Sequence, residues 1–123
     1  MFDRRRRLAA IVALASVLTL VGAQFAVAGT TKVVRGRLTD SGYRWRPKLA
    51  EVAPGTRVIW RSVEGNHTVT SYGAGWSIDR TISQGERTSF TFNNSGTFRY
   101  VCEIHGNVVG GNCTGMCGKV RVG

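Results

Sequence analysis

Short runs of alternating apolar and polar residues recur along the chain, and each run predicts a β-strand with one buried and one wet face. In the first run Val34 and Leu38 share one face, and Arg35 and Arg37 lie on the other. The predicted strands span residues 31–38, 56–61, 67–71, 88–92, 97–102 and 119–122. About seven strands of this kind predict an all-β fold, a Greek-key β-sandwich of two sheets.

The segments between these runs carry turn signals or no period at all. Pro54-Gly55 and the stretch NNSG at residues 93–96 are turn signals. Residues 73–84 show no clear period. We therefore expect a loop there that crosses between the two sheets.

Two polar side chains fall on inward-facing positions of the predicted strands. His67 shares its side with Val69, and Cys102 shares its side with Phe98 and Tyr100. Because side chains alternate along a strand, both point where core residues point. A single buried histidine or cysteine is most often an ordinary core residue, so position alone does not define a site.

Residues 1–28 have the three parts of an export signal. A basic start (MFDRRRR) precedes a long apolar stretch, and the small-residue site Ala26-Val27-Ala28 follows it. We expect export followed by cleavage. An apolar stretch of about 20 residues would also suffice to anchor the protein in a bilayer. The paired arginines are compatible with export by the twin-arginine route. Residues 29–123 then form one domain in the periplasm, in the cell envelope or outside the cell.

The formal net charge of the chain is +10. Residues 29–123 hold 13 basic and 6 acidic residues, and the charges are spread along the strands instead of forming a run. This pattern predicts a solvated basic face and disfavours a nucleic-acid role. It is compatible with attraction to an acidic protein partner or to an anionic envelope surface.

The chain is poor in metal-binding side chains, and those present make a set typical of copper sites. His67 and His105 are its only histidines, and Met116 is its only methionine besides the initiator. Cys102 stands three positions before His105. Imidazole suits both oxidation states of copper and soft sulfur favours the reduced ion, so these residues together predict a copper site that can cycle.

The chain resembles the cupredoxins, the plastocyanin and azurin group of type 1 copper proteins. The resemblance covers about residues 31–122. It rests on PGTRVIW at residues 54–60, GNHTV at 65–69, GTFRYVCEIH at 96–105 and GMCGKV at 115–120. It implies a copper-binding one-electron carrier that works with redox partner proteins. We also expect the protein to be a monomer.

The resemblance also assigns ligand roles. It implies that His67 is the inner imidazole on a buried strand, Cys102 the equatorial thiolate, His105 the outer imidazole and Met116 the weak axial ligand. The cysteine, the outer histidine and the methionine are expected on one loop between the last two strands. Electron transfer is expected through the edge of His105, within an apolar ring to which the neighbouring residues 108–109 (VV) contribute.

Two features depart from the family pattern. Ten residues separate His105 from Met116, where cupredoxins usually have a few, and Cys113 and Cys117 bracket the methionine. In an oxidising compartment these two cysteines are expected to form a disulfide that pins the long loop and leaves Cys102 free for the metal.

Hydrogen bonds to the ligands are expected as well. One nitrogen of His67 should donate to a carbonyl or a polar side chain, which would fix the tautomer. Backbone N–H groups near Thr68 are candidates to bond the sulfur of Cys102.

Other functions compete with electron carriage. A structural zinc site could use Cys102, His105, Cys113 and Cys117 as a Cys3His set, which would leave His67 unused. Copper delivery or storage would use the same ligands as electron transfer. An enzyme is disfavoured because no histidine remains for a second metal site or for acid–base work, and a β-sandwich with a vestigial site is the remaining alternative.

Overall fold

The computed structural model describes residues 29–123, so the predicted export segment lies outside the described residues. Nine strands and no helix are found in this part of the chain. Their bounds are β1 Thr31–Thr39, β2 Gly42–Arg46, β3 Leu49–Val52, β4 Thr56–Ser62, β5 His67–Tyr72, β6 Asp79–Ile82, β7 Arg87–Phe92, β8 Gly96–Val109 and β9 Asn112–Val122. Accordingly, residues 29–123 contain no helix of a length and apolarity that would let it span a membrane.

The strands form two sheets, as the alternation predicts. The first, sheet A, has the order β2-β1-β4-β7, and the second, sheet B, has the order β3-β9-β8-β5-β6. Strand β1 pairs with β4 in parallel and β3 pairs with β9 in parallel, while the other pairs are antiparallel. The prediction of an all-β sandwich is confirmed.

Aromatic side chains fill the space between the sheets. The ring of Tyr100 lies among three tryptophans, with centroid distances of 5.2 Å to Trp60, 5.9 Å to Trp45 and 6.3 Å to Trp76. Gly118 lies beneath the Tyr100 ring, where any Cβ would collide with it. Large buried aromatic rings supply much of the hydrophobic stabilisation of so small a domain.

Three details of the strand prediction are wrong. The alternation does not predict strands β2 and β3, and β6 lies inside the predicted loop at residues 73–84, paired with β5 in the same sheet. The chain crosses to sheet A only after Ile82. Val34 is fully buried, whereas Leu38 is 53% exposed because it lies near the end of β1.

The ten residues between His105 and Met116 do not form an open loop. Strand β8 continues to Val109 and β9 begins at Asn112, so most of the extra residues extend the β8–β9 hairpin. The pairing is regular on both sides of one interruption, between Val101 and Gly106 on β8. In that interruption residues 102–105 of β8 lie opposite Met116 of β9, a bulge-like irregularity that can re-aim side chains and is called the bulge below.

Candidate metal centre

His67, which is far from Cys102 and His105 in the sequence, meets both of these side chains in the structure. The ligand atoms that His67, Cys102 and His105 can offer lie within 4.8 Å of one another. Nδ1 of His67 is 3.2 Å from Nδ1 of His105, and Sγ of Cys102 is 3.8 Å from the first nitrogen and 3.5 Å from the second. The convergence expected from strand parity is therefore present.

This triangle has the size that a metal ion requires. Bonds of about 2.0 Å to nitrogen and about 2.3 Å to sulfur, arranged in a plane, give edges of about 3.5 Å between the nitrogens and about 3.7 Å from sulfur to nitrogen. The observed edges of 3.2, 3.5 and 3.8 Å agree within a few tenths of an ångström. Two imidazoles and one thiolate are a donor set that suits copper.

His67 begins β5 and is fully buried. Its Nε2–H donates to the carbonyl of Glu64 at 2.5 Å, so Nδ1 is left with its lone pair toward Cys102 and His105. The ring packs edge-on against Trp45, with centroids 5.5 Å apart. The expected tautomer-fixing hydrogen bond is confirmed.

Gly36 on β1 makes room for the His67 ring. A Cβ at position 36 would lie 2.9 Å from Cδ2 and 3.1 Å from Nε2 of the imidazole. The absence of a side chain at this position is thus what allows a strand of sheet A to approach a ring that is carried by sheet B.

Thr68 makes one contact with Cys102 and one with the residue after it. Its backbone N–H points to the sulfur at 3.4 Å, and its hydroxyl accepts a hydrogen bond of 2.8 Å from the backbone N–H of Glu103. Cys102 is fully buried and is the only free cysteine in residues 29–123. The N–H contact near Thr68 that the sequence predicts is confirmed.

The bulge between Val101 and Gly106 turns the second histidine back toward the first. Cys102 and His105 both belong to the interrupted segment of β8, and Met116 is the residue of β9 that faces this segment. Gly106 and Gly115 flank the bulge as a cross-strand pair, and a Cβ on Gly115, whose φ is +83°, would collide with the carbonyl oxygen of His105.

Met116 is fully buried in the same core cluster as Cys102. The cysteine and the methionine therefore lie on paired strands, and the expectation that they occupy one loop is wrong. The register places the methionine beside the three-residue centre, and its role as a ligand remains a prediction.

Burial lowers the pKa of both histidines. For His67 desolvation is the main cause, the hydrogen bond to the Glu64 carbonyl partly opposes it, and the nearby His105 lowers the pKa further. For the less buried His105 desolvation alone is the cause. Both rings are thereby kept neutral to a lower pH than a free histidine, which is the state that binds a metal ion.

Cys113 and Cys117, which both lie on β9 on either side of Met116, form a disulfide, as predicted. The bridge removes both thiolates from any metal site, so the Cys3His zinc alternative has lost two of its four ligands.

Some residues that shape the centre are not predicted by the sequence pattern. Tyr43 on β2 lies over both histidines, with ring centroids 4.3 Å from His105 and 5.1 Å from His67. The alternation does not predict strand β2, so nothing in the sequence links this tyrosine to the site. Val109, which is expected in the apolar ring around His105, is 69% exposed. Ile104, directly before His105, is a second exposed apolar residue, at 55%, and the sequence pattern does not predict it.

No protein-family model and no curated protein sequence matches the chain. Solved structures do match. One is a purple cupredoxin from Nitrosopumilus maritimus, with 19% sequence identity and a TM-score of 0.57 over 76% of this chain and 99% of that chain. A reduced amicyanin variant shows 24% identity and a TM-score of 0.60 over 80% of this chain and 87% of its own.

A copper-containing nitrite reductase from Thermus scotoductus also matches, with 22% identity and a TM-score of 0.57. The match covers 77% of this chain but only 22% of the reductase. Together with the strand order, these likenesses show the class of the domain. Residues 29–123 form a cupredoxin-fold β-sandwich, as the sequence motifs indicate.

Proposed function

We propose that this protein binds one copper ion of the type 1 kind and carries single electrons outside the cytoplasm. The ligands in this proposal are Nδ1 of His67, Sγ of Cys102 and Nδ1 of His105, with Met116 as a weak fourth ligand. The observation that carries the proposal is the triangle formed by these three atoms. The hydrogen bond from Nε2 of His67 to the Glu64 carbonyl supports it, because it leaves Nδ1 free to bind the metal.

The residues around the triangle favour a rigid centre. Glu64 fixes the ring of His67, and Thr68 fixes Cys102 from the adjacent strand. A copper ion bound there would supply a one-electron redox couple. Because the surrounding strands hold the ligands in place, little rearrangement would accompany a change of oxidation state, and small rearrangement favours fast electron exchange.

Both histidines of the chain lie in the triangle, so no imidazole remains for a second, substrate-binding metal. The likeness to a nitrite reductase covers only 22% of that enzyme. We therefore propose a carrier that is not an enzyme, is monomeric and exchanges electrons with partner proteins. The proposed location is the periplasm, the cell envelope or the medium, in keeping with the export pattern of residues 1–28.

The test is to add copper(II) to the purified protein, to record the visible spectrum and then to titrate with a reductant. We expect an intense sulfur-to-copper absorption that disappears after one electron per protein and returns on oxidation. Cys102→Ser should abolish the absorption, while Ser71→Ala, on the same sheet but outside the triangle, should keep it. A colourless complex would refute the assignment, and a coloured site that cannot be cycled would favour copper delivery or storage.

A further inference from the structure

Seven arginines lie on the outer face of sheet A. In β4, for example, Arg57 and Arg61 alternate with the buried Val58 and Trp60, so they point away from the core. The same alternation applies in the other three strands. The arginine face, as we call it, consists of Arg35, Arg37, Arg44, Arg46, Arg57, Arg61 and Arg87.

Four of these residues form one continuous row across the sheet. Arg35 is the direct cross-strand partner of both Arg46 and Arg61, and Arg61 is the partner of Arg87. Each strand of sheet A thus contributes one arginine to the row. Arg37 and Arg44 form a second like-charged pair beside it.

Nothing on these strands neutralises the arginine face. Strands β1, β2, β4 and β7 contain no aspartate or glutamate. Among residues 29–123 the only ion pair joins Arg121 to Glu51 at 2.8 Å, on sheet B. Like charges directly opposite each other destabilise a sheet, so acidic groups from outside would relieve the repulsion. Arginine binds carboxylates in a bidentate manner.

The arginine face lies above the metal centre. Gly36 stands between Arg35 and Arg37, and its inner side faces the ring of His67. The carbonyl of Gly36 accepts a hydrogen bond of 3.3 Å from the N–H of Glu64, and the carbonyl of Glu64 accepts the Nε2–H of His67 at 2.5 Å. Two hydrogen bonds therefore connect the backbone under the arginine row with one of the three converging side chains.

We propose that the arginine face docks the acidic surface of a one-electron redox protein. From there the electron passes along Gly36, Glu64 and His67, and not through the edge of His105 that the resemblance to the cupredoxins implies. The inference rests on the proposed function. The partner's reduced centre loses one electron and copper(II) in this protein becomes copper(I), with no bond made or broken. A lipid or nucleic-acid surface would also neutralise the arginines, but it has no electron to give to the path through Gly36, Glu64 and His67. The partner we propose is therefore a redox protein.

Docking is tested first on the metal-free protein, so its result does not depend on copper. A peptide of ten glutamates serves as the probe and is titrated into ¹⁵N-labelled protein at low salt. We expect amide shifts concentrated on β1, β2, β4 and β7, and an affinity that falls as salt rises. Shifts confined to sheet B, or tighter binding to anionic phosphatidylglycerol vesicles or duplex DNA than to the peptide, would overturn the proposal.

A charge-matched pair of variants separates a specific face from net charge. Arg35→Gln with Arg61→Gln removes the centre of the row, and Arg99→Gln with Lys119→Gln removes two cations that are cross-strand neighbours on sheet B. We expect the first variant to lose about tenfold in peptide affinity and the second to lose little. Equal losses would show a simple dependence on net charge and would reject docking at this face.

The electron route is tested on the copper-loaded protein. Reduced acidic ferredoxin and cationic hexaammineruthenium(II) serve as two electron donors of opposite charge. The variant of Arg35 and Arg61 should react about tenfold more slowly with ferredoxin, should not slow with the ruthenium complex, and should keep its reduction potential. An unchanged ferredoxin rate would refute docking here, whereas failure to bind copper would count only against the proposed function.

Discussion

The ring of Tyr43 lies against the ring of His105, with centroids 4.3 Å apart and planes inclined by 38°. The two residues belong to different sheets, since β2 is an edge strand of sheet A and β8 is in sheet B. Tyr43 also contacts His67 edge-on. One side chain of sheet A therefore holds both imidazoles of the proposed copper site in place.

Replacing Tyr43 should loosen His105. Aromatic pairs contribute about 1 kcal/mol beyond burial, so Tyr43→Leu should weaken copper binding about fivefold, measured by competition with a chelator of known affinity. Tyr72→Leu is the matched control, because Tyr72 lies on the outer face of sheet B beside Arg99. Equal affinities of the two variants would mean that the stacking does not support the site.

Gly36 should tolerate no side chain. A Cβ there would lie 2.9 Å from the His67 ring and 3.1 Å from Trp45, and overpacking of this kind costs about 1–3 kcal/mol. Gly36→Ala should therefore lower the free energy of unfolding in urea and disturb the visible copper spectrum. Gly29→Ala, where the nearest atom is 3.9 Å from the added Cβ, should do neither. A Gly36→Ala protein with native stability and spectrum would contradict the packing described.

Loss of the Thr68 hydroxyl should affect the stability of the fold more than the visible copper absorption. Thr68→Val removes the acceptor of the Glu103 N–H but keeps the backbone N–H that points to Cys102. We expect a loss of about 1 kcal/mol in unfolding free energy with the copper absorption retained. Thr81→Val, on the neighbouring strand β6, serves as the control. Loss of the absorption in Thr68→Val would show that the hydroxyl, and not only the N–H, sets the geometry of Cys102.

The alternation of side chains along single strands predicts part of the site. Alternation along β5 and β8 pointed His67 and Cys102 inward, and both are fully buried. What alternation cannot supply is the partner of each strand. Gly36 and Tyr43 approach the histidines from sheet A, and that approach depends on the packing of two sheets against each other.

The missed strands have physical causes. Strands β3 and β6 have four residues each, too short to establish a period, and both lie at an edge of sheet B. The long His105–Met116 connection looked like a loop because GNVVGGNCTG is rich in glycine. In the structure Gly110 and Gly111, with φ of +56° and +79°, make the hairpin turn, and the remaining residues pair as strands.

The disulfide should contribute to stability without being needed for the metal site. A ring closed over four positions is worth about 2 kcal/mol in the chain-entropy account. Cys113→Ser with Cys117→Ser should lower the unfolding free energy by about that amount or less and should keep the copper absorption. Amide hydrogen exchange should accelerate mainly in the outer hairpin, residues 106–115. Protection unchanged there would mean that strand pairing alone fixes the extension.

Acid should destabilise the metal-free protein through its histidines. The pKa of His67 lies below its ordinary value of 6.5, mainly because the ring is desolvated by burial. The unfolded chain therefore binds more protons than the folded one once the pH falls below about 6.5, and the free energy of unfolding decreases as the pH falls toward the folded-state pKa. Urea titrations of the metal-free protein at pH 7.5, 6.5 and 5.5 should show this decline. The His67→Gln variant should show a shallower one, and a wild-type stability that is flat or rises toward pH 5.5 would contradict the burial of a neutral imidazole at this position.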